Sequence, residues 1–345
     1  MKITFPAEWS VQDAVMLTWP HSETDWVDIL PLVEKTYLTI AKEVLTEQAL
    51  LIVVHNEQLK THVQALLQSE NIISKNVHFV VTKTNDTWAR DHGPICIYKN
   101  EQLVALNFVF NGWGNKFESE LDNQINESVF KHTLNHRAAS ESINLVLEGG
   151  GIESDGNGTL LTTSECLLNP NRNPSLSKVQ LEASLSKILG IKHFLWLDSG
   201  YLAGDDTDSH IDTLARFAPN DSIVYVKCND ANDVHFNALS EMETQLKTFT
   251  TQSGNAYTLY PLPWPSAKYN EDGDRLPATY ANYLIMNNKV LVPTYQDSQD
   301  ENALSVLAKA YPEHQVVGID CTSLIHQFGS LHCITMQLPR GFLRS

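Results

Sequence analysis

The sequence predicts an α/β fold in which five similar units close into a single domain over residues 1–345. Three observations lead to this prediction. An apolar run, an amphipathic helix and a second apolar run recur five times along the chain. The first apolar runs begin near residues 50, 104, 159, 222 and 290, so the period is nearly constant, as in repeat architectures. No linker rich in Gly, Ser or Pro divides the chain, which favours one closed domain over two.

Each unit is predicted from its own periodicity as a strand, a helix and a second strand. The predicted elements, unit by unit, are 50–54, 57–68 and 77–81; 104–110, 122–134 and 143–147; 159–163, 176–189 and 193–197; 222–227, 236–249 and 257–262; and 290–293, 301–311 and 315–319. An ordinary parallel α/β sheet is the alternative that the same pattern allows.

Two further elements precede the five units. Apolar residues follow a 3.6-residue period from Trp26 to Leu45, which predicts an amphipathic helix. The apolar run 14–19 is predicted as a strand that pairs with the last unit. This pairing would close the five units into a ring.

The charge of the chain limits its partners. The sequence has 24 Lys and Arg against 41 Asp and Glu, a formal net charge of −17. That balance argues against nucleic acid and anionic membranes as partners. The longest apolar run, 49–54, is far too short to span a bilayer, and no signal peptide is visible. The five cysteines are scattered without a C-x-x-C pair, so we expect a reducing cytoplasm and no disulfide framework or zinc knuckle.

Polar, glycine-containing loops follow the closing strands of four units. If the units surround an axis, these loops meet at one end of it, and loops on a rigid scaffold are the usual place for chemistry. The four loops are 85–94, 148–151, 204–212 and 328–333.

These loops carry side chains that suit thiol chemistry. Cys333 becomes a nucleophile when it ionises, and a neighbouring imidazolium such as that of His210 promotes the ionisation. A carboxylate such as Glu148 would orient the imidazole. The further carboxylates Asp91 and Asp212 would suppress the thiolate unless the ligand brings positive charge. A planar guanidinium meets this demand, because its five N–H donors match carboxylates.

Other interpretations of the same residues stay open at this point. Cys333 lies in an apolar stretch and could be a small buried hydrophobe, and Arg90 beside Asp91 could form a structural ion pair. A divalent metal site that activates water is the main rival, although no H-x-H or H-E-x-x-H spacing appears. Its candidate ligands are Asp91, His92, Asp206, Asp208, His210 and Asp212. A non-catalytic binder of polyamines or arginine is the third interpretation.

Seven separated motifs carry a family resemblance that covers nearly the whole chain. They are Pro6-Ala7-Glu8-Trp9, Leu17-Thr18-Trp19-Pro20, Trp88-Ala89-Arg90-Asp91-His92-Gly93-Pro94, Phe110-Asn111-Gly112-Trp113-Gly114, Leu147-Glu148-Gly149-Gly150-Gly151, Asp206-Thr207-Asp208-Ser209-His210-Ile211-Asp212 and His332-Cys333-Ile334-Thr335. In these motifs and their order the chain resembles agmatine deiminases, within the guanidine-modifying superfamily that includes arginine deiminases and bacterial peptidylarginine deiminases.

The resemblance implies a five-bladed α/β propeller with pseudo-fivefold symmetry. It also implies hydrolysis of agmatine to N-carbamoylputrescine and ammonia, a step towards putrescine, without a cofactor or a metal, in a homo-oligomer. Matched motif by motif, Cys333 is the nucleophile, His210 the general acid and base, Glu148 its carboxylate partner, and Asp91 and Asp212 the pair that grips the guanidinium. A covalent amidino-cysteine would then form on Cys333.

Substrate choice depends on the far end of the ligand, where agmatine carries an amine and no carboxylate. Asp206 is predicted to contact that amine, and Trp88 and Trp113 to form walls for the substrate. The chain departs from the usual family pattern at Ser209, at 328–331 and at Arg216. An Arg216 that reached the pocket could bind a carboxylate and admit free or peptidyl arginine. An amidinotransferase is the other alternative, since an amine could capture the same intermediate.

Overall fold

The computed structural model describes residues 2–72 and 75–344. Its strands, in chain order, are β1 (Ile3–Thr4), β2 (Gln12–Thr18), β3 (Ala49–Val54), β4 (Val77–Val81), β5 (Ile95–Lys99), β6 (Gln102–Val109), β7 (Ala139–Val146), β8 (Ile152–Ser154), β9 (Thr159–Thr163), β10 (His193–Leu197), β11 (Ala215–Ala218), β12 (Ser222–Val226), β13 (Thr258–Leu262), β14 (Lys268–Tyr269), β15 (Arg275–Leu276), β16 (Leu284–Ile285), β17 (Lys289–Thr294), β18 (Gln315–Asp320) and β19 (Thr335–Pro339).

Helices lie between some of these strands. They are α1 (Leu30–Val44), α2 (Glu57–Ser69), α3 (Ala89–His92), α4 (Gly112–Asn115), α5 (Ile125–Thr133), α6 (Ser164–Leu167), α7 (Lys178–Leu189), α8 (Phe236–Leu246) and α9 (Asp300–Ala310). Short 3-10 turns occupy Val27–Ile29, Asp122–Gln124, Gly149–Gly151, Ile211–Thr213 and Leu324–Gln327. Within the described ranges, none of the helices is long and apolar enough to cross a bilayer.

The strands of the described residues form six small sheets instead of one continuous parallel sheet. The strand orders are β19-β2-β3-β4, β1-β5-β6-β7, β10-β9-β8, β11-β12-β13, β16-β17-β18 and the hairpin β14-β15. The first five sheets each combine a parallel pair of strands with an antiparallel neighbour. The fold is therefore mixed α/β, as predicted, and the alternative of an ordinary parallel sheet is wrong.

The five predicted strand–helix–strand units are confirmed. Helices α2, α5, α7, α8 and α9 connect the parallel pairs β3/β4, β6/β7, β9/β10, β12/β13 and β17/β18. The second unit differs most from its prediction. Its closing strand begins at Ala139 instead of residue 143, and its helix begins at Ile125 after a 3-10 turn.

The N-terminal elements tie the two ends of the chain together. Helix α1 begins at Leu30, later than predicted, with Pro31 in its first turn, where proline removes no helical hydrogen bond. Strand β2 lies parallel to β3 and antiparallel to β19, so that Leu17 pairs with Thr335. The predicted partner of β2 was the last unit, and the observed partner is the strand that follows that unit.

Buried apolar faces hold these layers together. Helix α1 buries Val33, Tyr37, Ile40 and Val44 on one face, at the spacing predicted from the sequence. Strands β9 and β12 are buried along their whole length, which explains their continuous apolar or small sequence. Burying one large apolar side chain contributes about 1.5–3 kcal/mol, so such faces supply most of the favourable free energy of folding.

Candidate active site

Three of the four predicted loops line one cleft, and the fourth, 148–151, contributes none of the residues that line it. The loops after β4, β10 and β18 supply Asp91, His210 and Cys333 to a cleft with a volume of about 260 Å³. The lining residues are Asp25, Asp86, Trp88, Asp91, Trp113, Phe117, Asp205, Asp206, Thr207, His210, Thr213, Gln327, Phe328, Gly329 and Cys333. Five of them are aspartates, and none of the lining residues in the described ranges is Lys or Arg. The cleft therefore favours a cationic ligand.

Cys333 is held at the wall of this cleft by its own backbone. Its amide donates to Asn282 Oδ1 at 3.3 Å, and its carbonyl accepts from the Arg90 amide at 3.0 Å. Its Sγ lies 3.4 Å from the same Asn282 oxygen. Burial, with the carboxylates of Asp212 and Asp91 nearby, raises the pKa of the Cys333 thiol well above its ordinary value. In the free protein at neutral pH the residue is therefore a thiol.

His210 faces the carboxylate of Asp91. Its Nδ1 is 3.5 Å from Asp91 Oδ1, and its Nε2 has no hydrogen-bond partner among the described residues. Burial opposes a charge on the ring, but Asp91, Cys166 and Glu148 favour it and raise the pKa of His210 to about 10. His210 is therefore an imidazolium at neutral pH, able to give a proton.

Asp91 is fixed from two further sides. Trp113 Nε1 donates to its Oδ2 at 3.0 Å, and the Gly150 amide donates to its Oδ1 at 3.1 Å. A Cβ at position 150 would lie 2.6 Å from His210 Nδ1 and 2.8 Å from Asp91 Oδ1. Only glycine at position 150 allows this close approach.

Asp212 lies beside the cleft but does not line it. The side chain is fully buried, and its Oδ2 accepts from His332 Nδ1 at 2.7 Å and from Asn282 Nδ2 at 3.3 Å. Its Oδ1 has no partner in the described part of the chain. Burial opposes the negative charge, but His332 and His210 stabilise it and lower the pKa of Asp212. Asp212 is therefore an ionised carboxylate with one free oxygen.

Glu148 is placed behind His210 and is bound by an arginine. Both of its oxygens accept from Arg172 Nε, at 2.9 and 3.0 Å, and Arg172 Nη1 donates to Asp208 at 2.6 Å. No hydrogen bond joins Glu148 to His210 among the described residues, although acceptor and ring nitrogen lie within 4.8 Å. Glu148 therefore acts on His210 through its charge in this structure.

The predicted walls and the predicted amine contact also lie at the cleft. Trp88 and Trp113 meet edge to face, with ring centroids 6.3 Å apart. Trp88 Nε1 donates to Asp86 at 2.8 Å. The carboxylate of Asp206 is half-buried and makes no hydrogen bond with the described residues, so it is free for a ligand.

Arg216 does not reach the cleft. Its side chain is fully buried on β11, where it contacts Glu153 and donates to Glu8 at 2.7 Å and to the Tyr283 carbonyl at 2.7 Å. The expectation that Arg216 could bind a substrate carboxylate is therefore wrong. A strand buried on both faces leaves a charged side chain no path to solvent, and two glutamates compensate its charge.

The ligand set of the predicted metal site is not assembled. Two groups of possible ligand atoms within 4.8 Å of one another occur in the described ranges, Glu148/Cys166/His210 and Glu8/Glu153/His332. Neither is the predicted set, and His92 instead lies 3.2 Å from the Thr18 hydroxyl. Arginines already contact the glutamates of both groups, so these carboxylates act as ion-pair partners.

Several residues that the site uses were missed. Arg172 and Cys166 lie beside Glu148 and His210, and Asn282 holds Asp212 and Cys333. Arg172 could have been suspected, because it stands in the proline-bounded polar segment 169–174. No local signal marks Asn282.

The comparisons with known proteins agree with this geometry. Residues 4–339 match the family model of the Porphyromonas-type peptidyl-arginine deiminase. A Shewanella sp. (strain MR-7) protein with the provisional name agmatine deiminase is 32% identical over 97% of this chain and 94% of its own length. A variant of C. jejuni agmatine deiminase with substrate bound is 40% identical and superimposes with a TM-score of 0.90, over 99% of this chain and 97% of that chain. A Porphyromonas gingivalis structure provisionally named an arginine deiminase is 43% identical, with a TM-score of 0.92 over 99% and 100% of the two chains. The chain therefore belongs to the Porphyromonas-type peptidyl-arginine deiminase family of hydrolytic enzymes.

Proposed function

We propose that this protein is an agmatine deiminase that hydrolyses agmatine to N-carbamoylputrescine and ammonia, a step towards putrescine. The observation that carries the proposal is the charge of the cleft, where five aspartates and no Lys or Arg stand among the described lining residues. Agmatine brings a guanidinium and an amine, both cationic. Arginine brings a carboxylate that this lining would repel, and Arg216 is not available to bind it.

In this proposal Asp91 and Asp212 grip the guanidinium, and Cys333 attacks its central carbon. The free Asp212 Oδ1 and the Asp91 carboxylate are acceptors for guanidinium N–H groups. These same carboxylates raise the pKa of the Cys333 thiol through their negative charge. The bound guanidinium offsets this charge and lowers the pKa again, so the thiol proton can leave to water. Binding of substrate thus produces the thiolate.

The covalent steps balance through His210. The thiolate forms a C–S bond to the guanidinium carbon, and the imidazolium of His210 protonates one terminal nitrogen. The C–N bond breaks, ammonia leaves and an amidino-cysteine remains. Neutral His210 then takes a proton from water, and the negative charge of Glu148 stabilises the imidazolium that forms. The hydroxide adds to the carbon that is bonded to Cys333. The hydroxyl proton of this adduct passes to the sulfur as the C–S bond breaks, which releases the neutral ureido product and returns Cys333 to the thiol.

The distal amine of agmatine is assigned to Asp206. Its half-buried carboxylate has no hydrogen-bond partner among the described residues, whereas Asp86 accepts from two tryptophan indoles, those of Trp26 and Trp88. Trp88 and Trp113 line the same cleft as Asp206 and Cys333. They suit the alkyl linker of the substrate.

We also propose that the five sheets are blades of one α/β propeller domain that spans the chain. The repeated strand–helix–strand unit, the pairing of β2 with β19 and the meeting of three loops at one cleft support this arrangement. The net charge of −17 and the odd, scattered cysteines support a cytoplasmic protein without nucleic-acid partners. A homo-oligomer is proposed from the family resemblance.

The test is ammonia release by the purified protein. Agmatine, free arginine and a peptide with a C-terminal arginine are offered to wild type, Cys333→Ala and the control Cys96→Ala, which alters a buried cysteine outside the cleft. We expect turnover of agmatine by wild type and Cys96→Ala and none by Cys333→Ala. Mass spectrometry of the quenched wild-type protein should show the amidino adduct on Cys333.

Two outcomes would contradict the proposal. Turnover of arginine or the peptide in preference to agmatine would reassign the substrate while the thiol mechanism stood. Activity that survives Cys333→Ala would remove the thiol mechanism itself.

A further inference from the structure

His332, the residue before Cys333, lies between two carboxylates in the protein interior. Its Nδ1 is 2.7 Å from Asp212 Oδ2, and its Nε2 is 2.8 Å from Glu8 Oε2. Ionised carboxylates only accept hydrogen bonds, so the two short contacts require two protons along this chain of three side chains. Glu8, His332 and Asp212 thus form one continuous hydrogen-bonded chain.

Glu8 is itself anchored at the far end of this chain. Its Oε1 accepts from the Ile285 amide on β16 at 2.7 Å, and its Oε2 accepts from Arg216 on β11 at 2.7 Å. Burial opposes its charge, but His332 and Arg216 hold the pKa of Glu8 well below its usual value. Glu8 is therefore a fixed anion that holds one edge of the His332 ring.

The Nδ1 side of the His332 ring fixes the rotation of the Asp212 carboxylate. His332 and Asn282 occupy Asp212 Oδ2, and Oδ1 is left without a partner in the described residues. A buried carboxylate oxygen without a donor is costly, and a guanidinium N–H would satisfy it. The rotation of this carboxylate thus decides whether the free oxygen is available to a ligand.

We propose that Glu8 and His332 are positioning residues for guanidinium binding, which hold the Asp212 carboxylate with its free oxygen available to the substrate. This inference rests on the proposed function, in which Asp212 grips the guanidinium. Neither residue is among the described lining residues of the cleft, so both act through Asp212. Through Glu8, the Pro6-Ala7-Glu8-Trp9 segment would thus help to position a site whose other residues come from loops later in the chain.

Paired substitutions at His332 test the inference. The amide nitrogen of Asn replaces Nδ1 and keeps a donor for Asp212, whereas that of Gln replaces Nε2 and keeps only the donor for Glu8. Both are made in Cys333→Ser protein, and agmatine affinity is measured by titration calorimetry. We expect His332→Gln to weaken binding about 10- to 100-fold and His332→Asn to weaken it less. Equal agmatine affinity of the Cys333→Ser parent and its two His332 variants would overturn the inference. Weaker binding by His332→Asn than by His332→Gln would also overturn it.

A double-mutant cycle separates positioning from general damage to the structure. If His332 acts through Asp212, then His332→Gln should change affinity less than about twofold in protein that already carries Asp212→Asn. A loss of the same factor in both backgrounds would show that His332 acts elsewhere.

Glu8→Gln provides the same test if neither His332 variant folds. We expect about tenfold weaker binding of agmatine, again absent in the Asp212→Asn background. Glu153→Gln is the matched control, because Glu153 contacts the same Arg216 but makes no hydrogen bond to His332 among the described residues. Its agmatine affinity should equal that of the Cys333→Ser parent, and equal losses in the two glutamate variants would overturn the inference.

Wild-type protein measured alongside distinguishes this inference from the proposed function. Wild-type turnover of agmatine, with unchanged affinity in the His332 and Glu8 variants, overturns the positioning role alone. Absence of both turnover and agmatine binding in wild type overturns the proposed function and this inference with it.

Discussion

Replacement of Arg216 by Met tests whether this arginine is structural. The side chain is fully buried against Glu8 and Glu153, so the substitution removes a cationic partner from two buried carboxylates. Removing one partner of a buried ion pair costs about 3–5 kcal/mol. For 345 residues the unfolding entropy is about 0.7 kcal/mol/K, so Tm should fall by about 4–7 °C. The exposed Arg137→Met, with the same change of side chain, should leave Tm nearly unchanged.

The assays are differential scanning calorimetry and ammonia release from agmatine and from arginine. Burial raises the pKa of Glu153 to about 7 while Arg216 lowers it, so without Arg216 this carboxyl takes up a proton more readily. The loss of stability should therefore be smaller at pH 6 than at pH 8. The preference for agmatine over arginine should not change. A Tm shift equal to that of Arg137→Met, or a change in substrate preference, would refute the structural role.

Three further predictions concern the cleft. Asp206→Asn should raise KM for agmatine about tenfold with little change in kcat, because a bound amine loses its counter-charge in ground and transition states alike; an unchanged KM would exclude Asp206 as the amine contact. A low concentration of a guanidinium salt should make iodoacetamide alkylate Cys333 faster, because the bound cation offsets the carboxylates that raise the pKa of the thiol. Slower alkylation at every salt concentration would contradict this prediction. The folded-state pKa of His210, about 10, lies above its unfolded value of 6.5, so its contribution to stability is complete below pH 6.5 and lost as pH rises through 10. Asp91→Asn should lower that pKa in ¹³C NMR titrations, and an unchanged value would show that Asp91 does not hold the imidazolium.

The repeated units could be predicted because their signals are local. Strands such as β9 and β10 and helix α9 follow the periodicity of their own residues, and their bounds differ from prediction by at most one residue. Strand β7 begins earlier than predicted because Ser140, Glu141 and Ser142 are exposed there and give no apolar signal. The short antiparallel strands β1, β8 and β16 were missed, since two or three residues carry no measurable period.

Many residues of the candidate site could be predicted from the sequence, but the hydrogen bonds between them could not. Cys333, His210 and Asp91 stand in motifs, and the structure brings them to one cleft as expected. That Arg172 binds Glu148, and that Asn282 holds Asp212, depends on contacts between loops far apart in the chain. The contrast between a buried Arg216 and a free Asp206 likewise depends on tertiary packing, which one sequence does not reveal.

The antiparallel pairing of β19 with β2 has a consequence for how the protein folds. Leu17 lies opposite Thr335, two residues after Cys333, so the sheet that borders Cys333 joins strands that are far apart in the sequence. Contacts between such distant residues form late, because the long segment of chain between them must be closed into a loop. A partly folded chain in which β2 and β19 have not yet paired therefore lacks the complete cleft around Cys333.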